Sequence, residues 1–203
     1  MQRVKIGDVY STWKEVNIGV PQGGIISPLL FLLYINDLSN VSHELNCILF
    51  ADDTTIYQAD SDLDQLCTSI SNNLCKISEW CEINRLSFNL SKTFAMIFNN
   101  YRYTPESKIN LNNSEIAFES EGRFLGIYID SKLNFSNHLQ NTCLKVSKTV
   151  GIFHKLKFFI PSDVLKILYY SLVYPHFTYG VALWGDTYKV HLHPLKVLQK
   201  KNS

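Results

Sequence analysis

Asn46-Cys47-Ile48-Leu49-Phe50-Ala51-Asp52-Asp53-Thr54-Thr55-Ile56-Tyr57 sets two adjacent aspartates between a mostly apolar run and a β-branched, aromatic one. Such runs on either side of a short polar pair read as a β-hairpin. Asp52 and Asp53 then occupy its tip, carried on stiff backbone. Neighbouring carboxylates repel unless a cation sits beside them, and a divalent ion is the usual answer. Two hard cations held about 3.5–4 Å apart by carboxylates drive in-line attack on phosphorus. A plain surface turn is the alternative, because Asp tolerates left-handed backbone and caps its own chain. The rest of the sequence bears on the choice.

The 203 residues, 46% of them hydrophobic and 13% aromatic, suffice for one large domain or two small ones with a real core. The longest apolar stretch, Leu29 to Leu38, is broken by Asn36 and Asp37, so no membrane span is expected. Met1-Gln2-Arg3-Val4-Lys5 leads into polar residues rather than a secretory core. Cys47, Cys67, Cys75, Cys81 and Cys143 form no CxxC pair and have no His at zinc-ligand spacing. They are read as reduced thiols of an intracellular chain, nuclear or cytoplasmic, and not secreted. His138, His154, His176, His191 and His193 show no joint ligand spacing beyond His191-x-His193 and are read as surface or packing residues.

A net charge of +1 hides an asymmetry. Residues 1–131 carry 9 Lys+Arg against 16 Asp+Glu, a balance of −7, while residues 132–203 carry 10 against 2, a balance of +8. An acid-bearing part followed by a basic one suits a site beside a surface for a polyanion, although a solvated basic helix face gives the same count.

Arg3 to Ile18 reads as a hairpin turning at Gly7-Asp8. Gly19-Val20-Pro21-Gln22-Gly23-Gly24 follows, a loop whose glycines permit positive φ or close approach to a ligand. It opens onto Ile25 to Leu38, apolar nearly all round and therefore expected to be a buried helix, with Ser27-Pro28 as Ncap and N1. The loop lacks the Lys-Ser/Thr of a P-loop and the GxGxxG order. Ser61-Asp62-Leu63-Asp64 resembles a capping box, and Leu63, Leu66, Ile70, Leu74, Ile77 and Cys81 follow at helical spacing to about residue 83. A strand is expected over Phe94 to Phe98, a linker over Asn99 to Glu106, a hairpin around Asn112-Asn113-Ser114, and a strand over Phe124 to Ile129. From Ser136 the pattern becomes helical: to about Phe158, then Val164 to Tyr174 stopped at Pro175, then His176 to Trp184, then Val190 to Lys201, the last cut off by the chain end.

Taken in order, Gly19-Val20-Pro21-Gln22-Gly23, Ser27-Pro28-Leu29-Leu30-Phe31, Tyr34-Ile35-Asn36-Asp37-Leu38 and Phe50-Ala51-Asp52-Asp53-Thr54 resemble a reverse transcriptase of the non-LTR retrotransposon, jockey-like type. Asn84 to Lys92, Arg123-Phe124-Leu125-Gly126-Ile127, Tyr179-Gly180 and Trp184-Gly185 continue the resemblance over nearly the whole chain. It implies an α+β fold: part of a polymerase palm, an antiparallel sheet with helices, over 1–131, and a basic helical thumb-like region over 132–203. It implies Asp52 as a ligand of Mg2+ (or Mn2+), Asp53 as the supporting acid, and Lys92 near the triphosphate as a proton donor to the leaving pyrophosphate. Pro21, Gln22, Gly23, Phe50 and Ala51 would line the incoming deoxynucleoside triphosphate and template. Phe124, Leu125 and Gly126 would form the turn that grips the primer end, and the basic region would track a duplex of RNA template and DNA primer.

Two residues depart from the family's common pattern: Gly24 stands where Ser is usual, and Ser27 where Gly is usual. The resemblance also places the family's first catalytic aspartate, with the fingers, before residue 1, and Asp8 in its Gly-Asp turn does not replace it. The expectation is therefore a partial polymerase domain, with weak Mg2+ binding and no robust synthesis by these residues alone. The alternative is an inactive fragment acting at most as a nucleic-acid-binding module.

Overall fold

The computed structural model describes residues 1–15, 19–21, 23–99, 105–112 and 114–200. It is α+β, and its contacts divide the chain into two compact units, residues 1–87 with 105–115, and residues 88–104 with 116–203. The first unit holds 6 Lys+Arg against 13 Asp+Glu, a balance of −7, and the second 13 against 5, a balance of +8. The charge asymmetry thus follows the structural division.

The first unit opens with the expected hairpin, β1 (Lys5–Ile6) paired with β2 (Val9–Tyr10) about Gly7-Asp8. Its expected end at 16–18 lies outside the described residues, as does Gln22. Helix α1 (Ser27–Ile35) runs into a 3-10 turn, Asn36–Asn40. Its N-cap is Ile26, so Ser27 and Pro28 lie inside the first turn rather than at Ncap and N1. The Ser27 hydroxyl explains the shift: it donates to the Pro21 carbonyl at 2.7 Å instead of accepting from a helix amide. The expectation of a buried helix also fails. Only Ile35 is buried, and Leu29, Leu30, Leu32, Leu33 and Tyr34 are exposed. A helix apolar on every side needs cover on every side, and the described chain covers only its C-terminal end.

Strands β3 (Asn46–Phe50) and β4 (Asp53–Tyr57) form the expected second hairpin, and α2 (Leu63–Ile83) follows. The N-cap of α2 is Asp62, whose carboxylate accepts from the amides of Asp64 and Gln65, so Asp62 rather than Ser61 opens the helix. The helical spacing holds: Cys67, Leu74, Ile77 and Cys81 are buried. Strands β5 (Asn110–Leu111) and β6 (Ser114–Glu115) make a short hairpin, tied to α2 where the Asn110 amide donates to Ser71 Oγ at 3.2 Å.

In the second unit, the expected strand 94–98 reduces to one bridge, Ala95 with Phe118. Part of the expected linker, 100–104, lies outside the described residues. The single strand expected at 124–129 is instead a hairpin, β7 (Glu121–Phe124) and β8 (Ile127–Asp130). Leu125 and Gly126 turn it at φ +46° and +90°, and positive φ at both central residues marks a type I′ turn. Helices α3 (Ser136–Leu156), α4 (Ser162–Leu172), α5 (Tyr174–Thr178), α6 (Val181–Trp184) and α7 (Lys189–Lys200) complete the unit. Pro175 sits in the first turn of α5 rather than ending the helical path. Ile127, Phe135, Leu139, Trp184, Leu192 and Leu195 form one buried cluster, and Val146, Val150 and Val173 another. Among the described residues the strands form four separate antiparallel pairs.

No described helix is long and apolar enough to cross a membrane. All five cysteines are free.

Candidate active site

The aspartate hairpin has a two-residue tip. Phe50 pairs with Asp53, which leaves Ala51 and Asp52 as the turn. Ala51 alone of the two lies at positive φ, +51°, as a type II′ turn requires at its first central position. That position favours glycine, and alanine there costs about 1–2 kcal/mol. Asp52 and Asp53 are both exposed. Residues paired across an antiparallel ladder share a face, so Asp53 stands on the face of Phe50, Ile48 and Tyr57, all of them exposed.

What holds this hairpin in place was not read from the sequence. Asn73 of α2 is 1% exposed and uses all four of its amide bonds. Its Nδ2 donates to Glu44 Oε2 at 2.9 Å and to the Ser69 carbonyl at 3.0 Å. Its Oδ1 accepts from Ser42 Oγ at 2.8 Å and from Lys76 Nζ at 2.9 Å. Ser42 and Glu44 immediately precede β3, so Asn73 pins the foot of the hairpin to α2. The polar Ser-Asn-Asn run at 71–73 inside an apolar spacing was the available signal.

The Pro21–Gly24 loop is closed by the Gly24 amide, which donates to the Pro21 carbonyl at 3.2 Å. Gly23 has φ +82°, a conformation open to glycine and strained for other residues. The same Pro21 carbonyl takes the Ser27 hydroxyl. A Cβ on Gly24 would lie 2.5 Å from Ser27 Oγ. The two departures from the family pattern therefore answer each other: serine at 27 fills the space that requires glycine at 24.

Lys92 and the Phe124–Gly126 turn belong to the second unit. Lys92 ends an exposed 3-10 turn, Leu90–Lys92. The Leu125-Gly126 turn is held by Tyr179, whose hydroxyl donates to the Leu125 carbonyl. Trp184 Nε1 in turn donates to the Tyr179 carbonyl at 2.9 Å. Gly180 must be small, since a Cβ would lie 2.2 Å from Ile127 Cδ1, and its φ is +64°. Tyr179-Gly180 and Trp184 were conspicuous in the sequence without a role; the structure shows them bracing this turn.

Below the turn, the Asp130 carboxylate accepts the amides of Lys132, Asn134 and Phe135 and shapes the entry to α3. Lys145, Lys148 and Lys155 are exposed on α3, opposite Leu139, Val146 and Val150. His138 is buried, as a packing residue, with its ring 5.8 Å from that of Trp184. Its Nδ1 accepts the Tyr128 amide at 3.4 Å. Burial, and after it the charge of Lys145, hold its pKa below the usual histidine value.

The structure thus brings Phe50, Ala51, Asp52 and Asp53 together in one hairpin. Pro21 and Gly23 stand in a separate loop of the same unit, and Lys92, Phe124, Leu125 and Gly126 in the other unit. Among the described residues no group of three or more His, Cys, Asp or Glu side chains is placed to hold a metal ion.

Comparison with known proteins finds relatives along nearly the whole chain. The chain is 25% identical over 209 residues to the probable RNA-directed DNA polymerase from transposon BS of Drosophila melanogaster, covering 98% of this chain and 23% of that protein. It is 27% identical to the probable RNA-directed DNA polymerase from transposon X-element of Drosophila melanogaster, covering 98% of this chain and 22% of the relative. It is 26% identical to the RNA-directed DNA polymerase from mobile element jockey of the same organism, covering 98% and 23%. The chain therefore spans less than a quarter of the length of these relatives. No solved structure matches it. The family model for reverse transcriptase (RNA-dependent DNA polymerase) matches residues 5–129, and with that match the chain belongs to the reverse transcriptase family.

Proposed function

We propose that this chain is a palm-like and thumb-like portion of a non-LTR retrotransposon's RNA-directed DNA polymerase, divided functionally near residues 131/132. The observation that carries the reading is the strained two-residue turn that presents two exposed carboxylates, in a chain of the reverse transcriptase family. Backbone strain held at a turn is what a positioned functional group leaves behind.

The donor chemistry of Asp52 and Asp53 fits Mg2+ or Mn2+. Both are hard cations that take carboxylate oxygens, and Mg2+ commonly takes one or two carboxylates with water and substrate phosphate completing its shell. Bound there, the cation supplies charge against the negative charge that develops on phosphoryl oxygens during nucleotidyl transfer. The remaining roles belong to side chains and backbone. Asp52 is the principal ligand and Asp53 its supporting acid. Pro21, Gln22 and Gly23, with Phe50 and Ala51, line the incoming deoxynucleoside triphosphate and the RNA template. Lys92 delivers a proton to the leaving pyrophosphate. Phe124, Leu125 and Gly126 hold the DNA primer end, and the lysines of α3 follow the duplex backbone.

Two carboxylates supply half of a two-metal ligand set, and that count favours a second reading, in which residues 1–203 bind nucleic acid without chemistry. Primer extension on an RNA template in Mg2+ or Mn2+ separates the readings. In a polypeptide that also carries the family's preceding motifs, extension should occur and be abolished by Asp52→Asn; extension indifferent to that change refutes the proposed site. Residues 1–203 alone should bind an RNA–DNA duplex with an affinity that falls steeply with salt and should not extend the primer.

A further inference from the structure

We infer that the first hairpin carries a binding face for single-stranded nucleic acid, formed by Arg3, Lys5, Tyr10 and Trp13. The inference rests on the polymerase reading for the nature of the partner, and adds a site that reading does not use. Its first support is a register change. Lys5 pairs with Tyr10 and Ile6 with Val9, but farther from the turn Gln2 pairs with Lys14. One more residue lies on the return strand than on the outgoing one between these pairs, which is a β-bulge. Without the bulge, Trp13 would alternate onto the face opposite Tyr10. With it, both rings meet the same side chain: the Arg3 guanidinium lies 3.9 Å from the Tyr10 ring centroid and 4.6 Å from that of Trp13. Lys5 Nζ stands 5.2 Å from the Tyr10 centroid.

These aromatic rings are not core. Trp13 is 57% exposed and Tyr10 47% exposed. An exposed Trp and Tyr with a cation between them cost solvation and gain little inside the chain, whereas unpaired bases stack on such rings and their phosphates meet the cations. Charge placement points the same way. The first unit has six basic residues, and three of them, Arg3, Lys5 and Lys14, lie in its first 15 residues against two acids, Asp8 and Glu15, a local balance of +1. In a unit of balance −7 this hairpin is where a polyanion is attracted. The ring faces are unsuited to duplex, whose bases are already stacked, so the occupant is a single strand.

Trp13 is also a reporter, because Trp184 is 3% exposed and Trp80 is partly buried. The 203-residue chain should show saturable fluorescence quenching with 12-nucleotide oligouridylate or oligothymidylate. Anisotropy of the same labelled strands gives affinities for Trp13→Ala, Tyr10→Ala and Arg3→Gln, each checked for unchanged far-UV circular dichroism. Each ring variant should weaken single-strand binding about fivefold or more, the lower end of one stacked base, and Arg3→Gln should also flatten the salt dependence. Affinity for a blunt RNA–DNA duplex should stay within about twofold, since that binding depends on phosphate contacts elsewhere. Single-strand binding that ignores all three variants overturns this inference alone, as does an equal loss of duplex binding. A wild-type chain that binds neither single strand nor duplex overturns it together with the polymerase reading.

Discussion

Gly24→Ser restores the residue the family pattern favours, yet in this chain it should destabilise. The new Cβ would sit 2.5 Å from Ser27 Oγ and 3.3 Å from the Pro21 carbonyl oxygen. That oxygen is backbone, engaged by the Gly24 amide, so Ser27 Oγ is the atom that moves. Moving it breaks the 2.7 Å bond to Pro21, a loss of about 0.5–1.5 kcal/mol, and crowding against Pro21 adds to it. The single change should cost about 1–2 kcal/mol. Ser27→Gly alone loses the same hydrogen bond and places glycine in a helical turn, about 1–2.5 kcal/mol in all. In the double variant the Cβ at 24 enters space that Ser27 has vacated, and the hydrogen bond is counted as lost once instead of twice. Its cost should fall below the sum of the singles by about 1 kcal/mol. Urea denaturation of the four chains, followed by far-UV circular dichroism, closes the cycle. Costs that add within about 0.5 kcal/mol, as independent sites do, would refute the idea that the two departures are one exchange.

Asn73→Ala should cost about 1–3 kcal/mol in the same assay, because it leaves the buried Ser42 hydroxyl without its acceptor. Faster hydrogen exchange confined to β3 and β4 should accompany it; unchanged exchange there would remove Asn73 as the anchor of the aspartate hairpin. The folded pKa of His138 lies below its ordinary value of 6.5, so below about pH 6.5 the unfolded chain takes up a proton that the fold resists. Stability should be full above that pH and fall as pH drops from 6.5 towards the folded pKa. The groups facing the ring are the Tyr128 amide, the Trp184 indole and, by charge, Lys145. Thermal midpoints at pH 7.5 and 5.5 should differ more for the native chain than for His138→Gln; equal differences would exclude His138 as the source.

Elements fixed by local chemistry were legible in the sequence. Asp62 through Cys81 carry a cap and a 3-4 spacing, and α2 forms where they predict. The aspartate hairpin announces itself by an apolar run and a β-branched, aromatic run about an Asp pair, although the turn falls on Ala51-Asp52, one residue before that pair, with Asp53 in the strand. What stayed hidden depended on partners distant in sequence or on backbone dihedrals. Leu125-Gly126 continues an apolar run, and nothing in that run shows that Leu125 turns left-handed; Tyr179, 54 positions away, is what receives the turn. Apolar residues all round α1 were read as burial, but composition reports that a helix needs cover, not that these residues provide it. Ser27 had the identity of a cap and spends its hydroxyl on Pro21. Trp13 stands beside Arg3 because of a one-residue bulge, which the residue types around it do not show.

The separation of charge carries a constraint on how such a protein would hold its substrate. A unit with 13 acidic and 6 basic residues repels phosphate over distances up to the Debye length, about 8–10 Å at ordinary salt. The carboxylates of Asp52 and Asp53 deepen that repulsion where, on the proposed reading, a triphosphate must come. A cation at the carboxylates reverses the sign locally and does nothing for the strands leading in and out. Those strands must be held by charge placed elsewhere, and two candidates are the lysines of α3 in the unit of balance +8 and the Arg3, Lys5 and Lys14 hairpin in the acidic unit. One suits a duplex, whose phosphates are its only exposed charge. The other sets aromatic rings beside its cations and suits bases that are not yet paired. A polymerase acting on a template needs both kinds of surface, and on the proposed reading each unit of this chain supplies one of them.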